Sequence, residues 1–192
     1  MYKIQLKKIQ IKKLTNAAVC LTMCMALPFL TAQIPQIGRA LGPMHIPVLL
    51  AGFLCGPWWA MMVGVVAPLL RFALFGMPII FPTGVAMCFE LATYGLVSGL
   101  LYACLQKKTS SIYVALIMAM ITGRIIWGAA MVVISGVTGS EFTWMVFLAS
   151  AFLNAIPGII LHILLIPAVV IALQKARFIH KPHVCGVYGS RA

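Results

Sequence analysis

Only seven charged residues fall among the 160 positions from Thr15 to Gln174, and nearly everything around them is apolar. Lipid is the solvent that suits such a chain. Three of the seven, Arg71, Glu90 and Arg124, sit inside hydrophobic runs. A charge is costly there and usually has a partner or a task. The expectation is an all-α integral membrane protein with a small polar site inside one helical bundle.

Charged residues make up 8% of the chain, against about a quarter in a typical soluble domain. The net charge of +12 could suggest nucleic acid, but its placement does not. Eleven of the 14 basic residues fall in three short segments: Lys3, Lys7, Lys8, Lys12 and Lys13; Lys107 and Lys108; and Lys175, Arg177, Lys181 and Arg191. These segments flank the apolar runs, as cytoplasmic loops do under the positive-inside rule. The partners implied are therefore the lipid bilayer and a small solute, with no nucleic acid.

The apolar runs occupy 14–32, 44–74, 79–105, 112–137 and 142–173. A span needs ~20 residues. The basic start resembles a signal peptide, but the A-x-A cleavage pattern is missing after it, so Leu14–Thr31 reads as a retained first span. The runs 44–74 and 142–173 are too long for one simple span each, and charge decides how they divide. Splitting 44–74 at Gly56-Pro57, a strong breaker, brings Lys107 and Lys108 to the same side as the N-terminal lysines. Keeping 142–173 whole, kinked at Pro157 and Pro167, does the same for Lys175.

This predicts six transmembrane helices with a short second helix and a long kinked sixth, in a membrane domain of residues 14–174. It is flanked by a basic segment 1–13 and a tail 175–192, both cytoplasmic. Arg39 and Glu141 then lie in outer loops. No internal repeat of the inverted-transporter kind is visible.

On this topology Arg71, Glu90, Arg124 and Asn154 come from four helices at related depths. Helical spacing puts Tyr94 on the stripe of Glu90, and Trp127 on that of Arg124. Glu90 can pair with either arginine, and one arginine is left over whichever pairs. Two readings stay open: structural pairing alone, or contact with a solute whose anionic group meets the spare cation. Phe75–Thr83, with its two prolines, reads as an ordered outer loop able to cover a pocket. His45 reads as a capping or loop-ordering residue, and His162 as a packed neutral one.

Five of the six cysteines lie within apolar runs and read as packing residues. No metal or cofactor motif is present. There is no Asp at all, no second intramembrane carboxylate for acid–base work and no Walker A motif. The chain is therefore not expected to be an enzyme, and any ATP hydrolysis would belong to partners.

Helix one carries Ala18, Thr22 and Ala26 at intervals of four, a spacing that lets another helix come close. That face, the basic start, the run His45-Ile-Pro-Val-Leu-Leu-Ala-Gly-Phe-Leu-Cys-Gly-Pro57, Arg71 with Phe75-Gly-Met-Pro78, and Phe89-Glu-Leu-Ala-Thr-Tyr-Gly-Leu-Val-Ser-Gly99 together resemble the substrate-binding S component of an energy-coupling factor transporter. The resemblance covers about residues 10–175. It implies a prokaryotic plasma-membrane protein that binds a vitamin-like micronutrient from outside and works with a transmembrane coupling subunit and two cytoplasmic ATPases. It implies docking of that subunit on Ala18, Thr22 and Ala26, although Thr22 and the neighbouring Cys20 and Cys24 depart from an all-alanine face. It implies an outer pocket built partly from helices four to six, where Glu90, Arg124 and Asn154 fall. The alternative from another class is a membrane scaffold whose buried charges only hold the bundle together.

Overall fold

A computed structural model of the chain describes residues 2–30, 42–105, 109–138 and 156–176, with side chains of 10–29 in the first segment. Among the described residues there are six α-helices and no strand: α1 (Tyr2–Leu30), α2 (His45–Cys55), α3 (Pro57–Phe75), α4 (Val85–Cys104), α5 (Thr109–Thr138) and α6 (Ile156–Lys175). The protein is an all-α integral membrane protein. Four helical segments, Pro57–Phe75, Ile80–Cys104, Thr109–Thr138 and Ile156–Lys175, are long and apolar enough to cross a bilayer.

The expected break between the second and third helices is where the sequence places it. Gly56 separates α2 from α3 with φ 88°, a backbone that L side chains rarely adopt. Pro57 opens α3 at the first helical position, where its missing N–H leaves nothing unpaired. The resulting α2 has 11 residues and is ~16 Å long, about half the ~30 Å hydrocarbon core. All of its residues except Leu54 are buried. It is the central element of the bundle, and its first residue, His45, ends up deep in the protein.

Helix α1 runs unbroken from Tyr2 through the basic segment into the first apolar run, because Lys, Gln, Leu and Ile carry helix without a breaker. The third apolar run opens on a π-type turn, Ile80–Gly84, containing extended Phe81, and α4 begins at Val85, just past the expected loop Phe75–Thr83. Its prolines Pro78 and Pro82 both follow cis peptide bonds. Residues 79–83 are exposed. The described part of the sixth helix has 20 residues with Pro167 inside it and Pro157 in its first turn. The expected stretch 142–155 lies outside the described residues, as do Arg39, Lys107, Lys108, Glu141 and the tail from 177.

Neighbouring helices are registered by glycine contacts. Gly64 of α3 meets the Leu91 backbone of α4, and Gly95 of α4 meets Ala60, with no room for a Cβ at either. These antiparallel pairings let two backbones approach closely, as small residues do in membrane bundles. Gly52 of α2 lies against Ser98 and Gly99, so α2 runs parallel to α4 and His45 comes level with Glu90.

Phe29 and Phe75 meet edge to face, with centroids 5.1 Å apart, at one end of the bundle. Gln174 Nε2 donates to Tyr102 Oη at 2.7 Å at the other, where the C-terminal ends of α4 and α6 meet. On α5 the outward stripe Val114, Ile117, Met118, Ile121 and Ile125 is exposed and apolar, a face suited to lipid.

Candidate functional site

The polar centre forms where α2, α4, α5 and α6 come together. Glu90 lies on α4 with a side chain that is 2% exposed. Tyr94, one helical turn on, donates its hydroxyl to Glu90 Oε1 at 2.8 Å. The spacing of four puts both on one face. Gly123 of α5 packs on the Tyr94 ring and the Glu90 backbone, leaving no space for a side chain there. That close approach carries the next residue, Arg124, to the carboxylate: Nη1 lies 3.0 Å from Glu90 Oε1. Of the two arginines that could pair with Glu90, Arg124 does so and Arg71 does not.

Two histidines complete the cluster. His45 Nε2 is 3.7 Å from Glu90 Oε1. Its ring tilts against that of Tyr94, with centroids 5.3 Å apart, and stacks on His162 of α6 at 5.9 Å. His45 thus serves more than loop order, and His162 is not packed among apolar side chains alone. Sequence reading missed both as site residues. The available signal for His45 was its place at the start of a helix too short to span, which sets it at depth. His162 carried no signal, since only the α2–α6 packing brings the two rings together.

Arg71 stands apart. It is 7% exposed, and its Nη1 is buried with no hydrogen-bond partner among the described residues. The guanidinium lies over the Phe75 ring, 5.7 Å from the centroid, a cation–π arrangement. In the α3–α4 register, with Gly64 opposite Leu91, Arg71 is level with Gly84. That is ~9 Å along the axis from Glu90, toward the Phe29–Phe75 end. Trp127 is half-buried on α5, one turn beyond Arg124. Asn154 lies outside the described residues.

The docking candidates sit on the opposite side of α1 from its packed face. Ala17, Cys20 and Cys24 are buried against the bundle, whereas Ala18, Thr22 and Ala26 are exposed. Thr22 Oγ1 donates to the Ala18 carbonyl at 3.0 Å, so its hydroxyl is satisfied within its own helix. Among the described residues this small-residue face is not consumed by internal packing.

Comparison with protein-family models matches residues 12–170 to the substrate-specific component of ECF transporters. The chain belongs to this family. As an S component it is a substrate-specific transporter subunit that works with an energy-coupling module, and not itself a catalyst. No curated protein and no solved structure matches the chain. The match reaches all six helices, from Lys12 on α1 to Val170 on α6.

Proposed function

We propose that this S component captures a water-soluble vitamin or related micronutrient at the Glu90–Arg124 level of the bundle, from the outer side of a prokaryotic plasma membrane. A transmembrane coupling subunit docks on Ala18, Thr22 and Ala26, and two cytoplasmic ATPases drive reorientation of the bundle. The observation that carries the reading is the clustering of Glu90, Tyr94, Arg124, His45 and His162 from four helices, with a spare buried cation nearby. Bundle packing alone does not require so many polar groups at one level, and each costs desolvation. Since Arg124 neutralises Glu90, Arg71 is the cation left to meet an anionic group of the solute. Native mass spectrometry of the purified protein tests this. A retained small molecule with an acidic group is expected, and its loss in Arg71→Gln is the corresponding result. A wild-type protein that emerges empty and unresponsive to nutrient mixtures would favour a scaffold, the reading in which the Glu90–Arg124 pair is purely structural.

The placement of the site depends on orientation. The helix order brings the N-terminal part of α1 and Lys175 to one end, and the positive-inside rule makes that end cytoplasmic. In a background without the native cysteines, Glu141→Cys should react with a membrane-impermeant maleimide from outside and Lys108→Cys should not. The reverse pattern would put the Glu90 level nearer the cytoplasm and remove capture from outside.

A further inference from the structure

Helix α1 carries no buried residue ahead of Ala17 among those whose side chains are described. Gln10, Ile11, Lys12, Leu14 and Thr15 are exposed, and Lys13 and Asn16 are half-buried. The helix nevertheless continues back to Tyr2. Its depth follows from the Phe29–Phe75 contact at the other end. Counting back equally from Phe29 on α1 and from Phe75 on α3 sets Lys12 level with Trp58 and Lys13 level with Trp59. Trp58 stands in the second position of α3 and is 63% exposed, as an indole at the edge of a bilayer is. Helix α3 is ~28 Å long, close to the ~30 Å hydrocarbon core, beyond which the headgroup layer adds ~5–8 Å on each side. Lys8 and Lys7 come ~6–8 Å further along the α1 axis than Lys12. They are at headgroup depth, with Lys12 and Lys13 at its floor and Lys3 past it.

The chain has nothing of its own to neutralise these lysines. It contains two acidic residues, Glu90 and Glu141. Glu90 is held by Arg124 in the interior. Helix α5 starts on the side where α1 starts, and Glu141 follows its other end in the sequence. Lys3 with Lys7, and Lys8 with Lys12, stand four apart on the helix, a spacing at which like charges repel. Lys175, exposed in the last turn of α6, adds a further cation on the same side. Such a density of positive charge at this depth is matched by anions fixed in the headgroup layer.

We propose that the lysines of α1 bind the headgroups of anionic phospholipids in the leaflet on that side, beside Trp58. A zwitterionic headgroup also has a phosphate, but its own ammonium offsets it. An anionic headgroup leaves that charge free for lysine. The long apolar stem of Lys12 lets its ammonium reach the phosphates from the edge of the hydrocarbon. A second copy of this chain does not fit the surface, because it brings the same excess of positive charge. An acidic protein would have to enter the headgroup layer to meet Lys7, Lys8 and Lys12.

The test uses the full chain in vesicles of equal parts phosphatidylcholine and phosphatidylglycerol, with brominated acyl chains on one lipid at a time. Bromine quenches indoles close to it, and Trp58 is exposed on α3, which packs against α1. Quenching should be stronger when phosphatidylglycerol carries the bromine. The expected enrichment is about fivefold, the scale of one lysine near an anionic surface. The excess should fade in 1 M salt, where the screening length falls to ~3 Å. Replacing Lys7, Lys8, Lys12 and Lys13 together by Gln should remove it, and replacing them by Arg should keep it. Both replacements are good helix formers. Equal quenching by the two lipids in the wild type overturns the proposal. An excess that persists in the glutamine variant also overturns it, since anionic lipid then gathers elsewhere on the bundle. Equal quenching together with poorer recovery of the ATPases by the glutamine variant assigns the lysines to an acidic protein partner instead. The wild-type comparison decides against the proposal or for anionic enrichment even if a variant fails to fold, and single Lys8→Gln and Lys12→Gln then place it on α1.

Discussion

Arg124→Ala and Glu90→Gln should each lower the melting temperature of the detergent-solubilised protein and abolish most of its response to solute. Glu90 is buried and Arg124 half-buried, with Nη1 and Oε1 3.0 Å apart. Removing Arg124 leaves the Glu90 carboxylate without compensation in a dry interior, which costs up to ~3–5 kcal/mol; removing the Glu90 charge costs less, because Arg124 keeps some exposure. Replacing both by apolar residues of similar volume should cost far less, because no orphan charge remains. That double variant separates two roles which the single variants confound. If the pair only holds helices together, Glu90→Leu with Arg124→Leu should melt near wild type and keep the full shift on adding a nutrient mixture. If the pair contacts solute, the double variant should melt near wild type yet gain little, since ligand stabilisation follows affinity for the folded state. A double variant that keeps the full shift would sink the assignment of Glu90 and Arg124 to the binding site.

How much of this arrangement could be read from residues alone depends on the kind of contact. The Gly56-Pro57 break and the short second helix were legible because backbone chemistry there is local: proline and a positive-φ glycine act within their own turn. That Glu90 would be paired was legible from the cost of a buried carboxylate. Which arginine pairs with it was not, because Arg71 and Arg124 are equivalent until packing chooses. Gly123 makes that choice by letting α5 close on Tyr94, and nothing in its sequence neighbourhood marks it out from the other glycines. The His45–His162 stack was hidden for a similar reason. It needs the parallel register of α2 and α4 and the approach of α6, both long-range features. The π-type turn at Ile80–Gly84 shows a smaller gap: two prolines announced the loop Phe75–Thr83 and the helix begins just past it at Val85, but the π-type geometry of the turn was not legible.

Replacing Ala18 and Ala26 together by Leu should abolish transport while leaving solute binding by the isolated protein unchanged. Both positions are exposed on α1, opposite the buried Ala17, Cys20 and Cys24, so larger side chains there displace nothing within the described bundle. Leucine is also a good helix former, and the helix itself should survive. What leucine removes is close approach of another helix, which small residues at intervals of four permit in lipid. Association of helices in a membrane has no hydrophobic drive, so lost packing is not recovered by the added apolar surface. Co-purification with the coupling subunit and ATPases should therefore fall along with uptake, and the ligand-induced melting shift should stay at the wild-type value. Thr22→Ala provides a contrast, because its hydroxyl is already bonded to the Ala18 carbonyl at 3.0 Å and offers a partner little. Transport by that variant should remain near wild type. Loss of solute binding in the double leucine variant would mean that this face supports the bundle itself, and unimpaired transport would move the docking surface elsewhere.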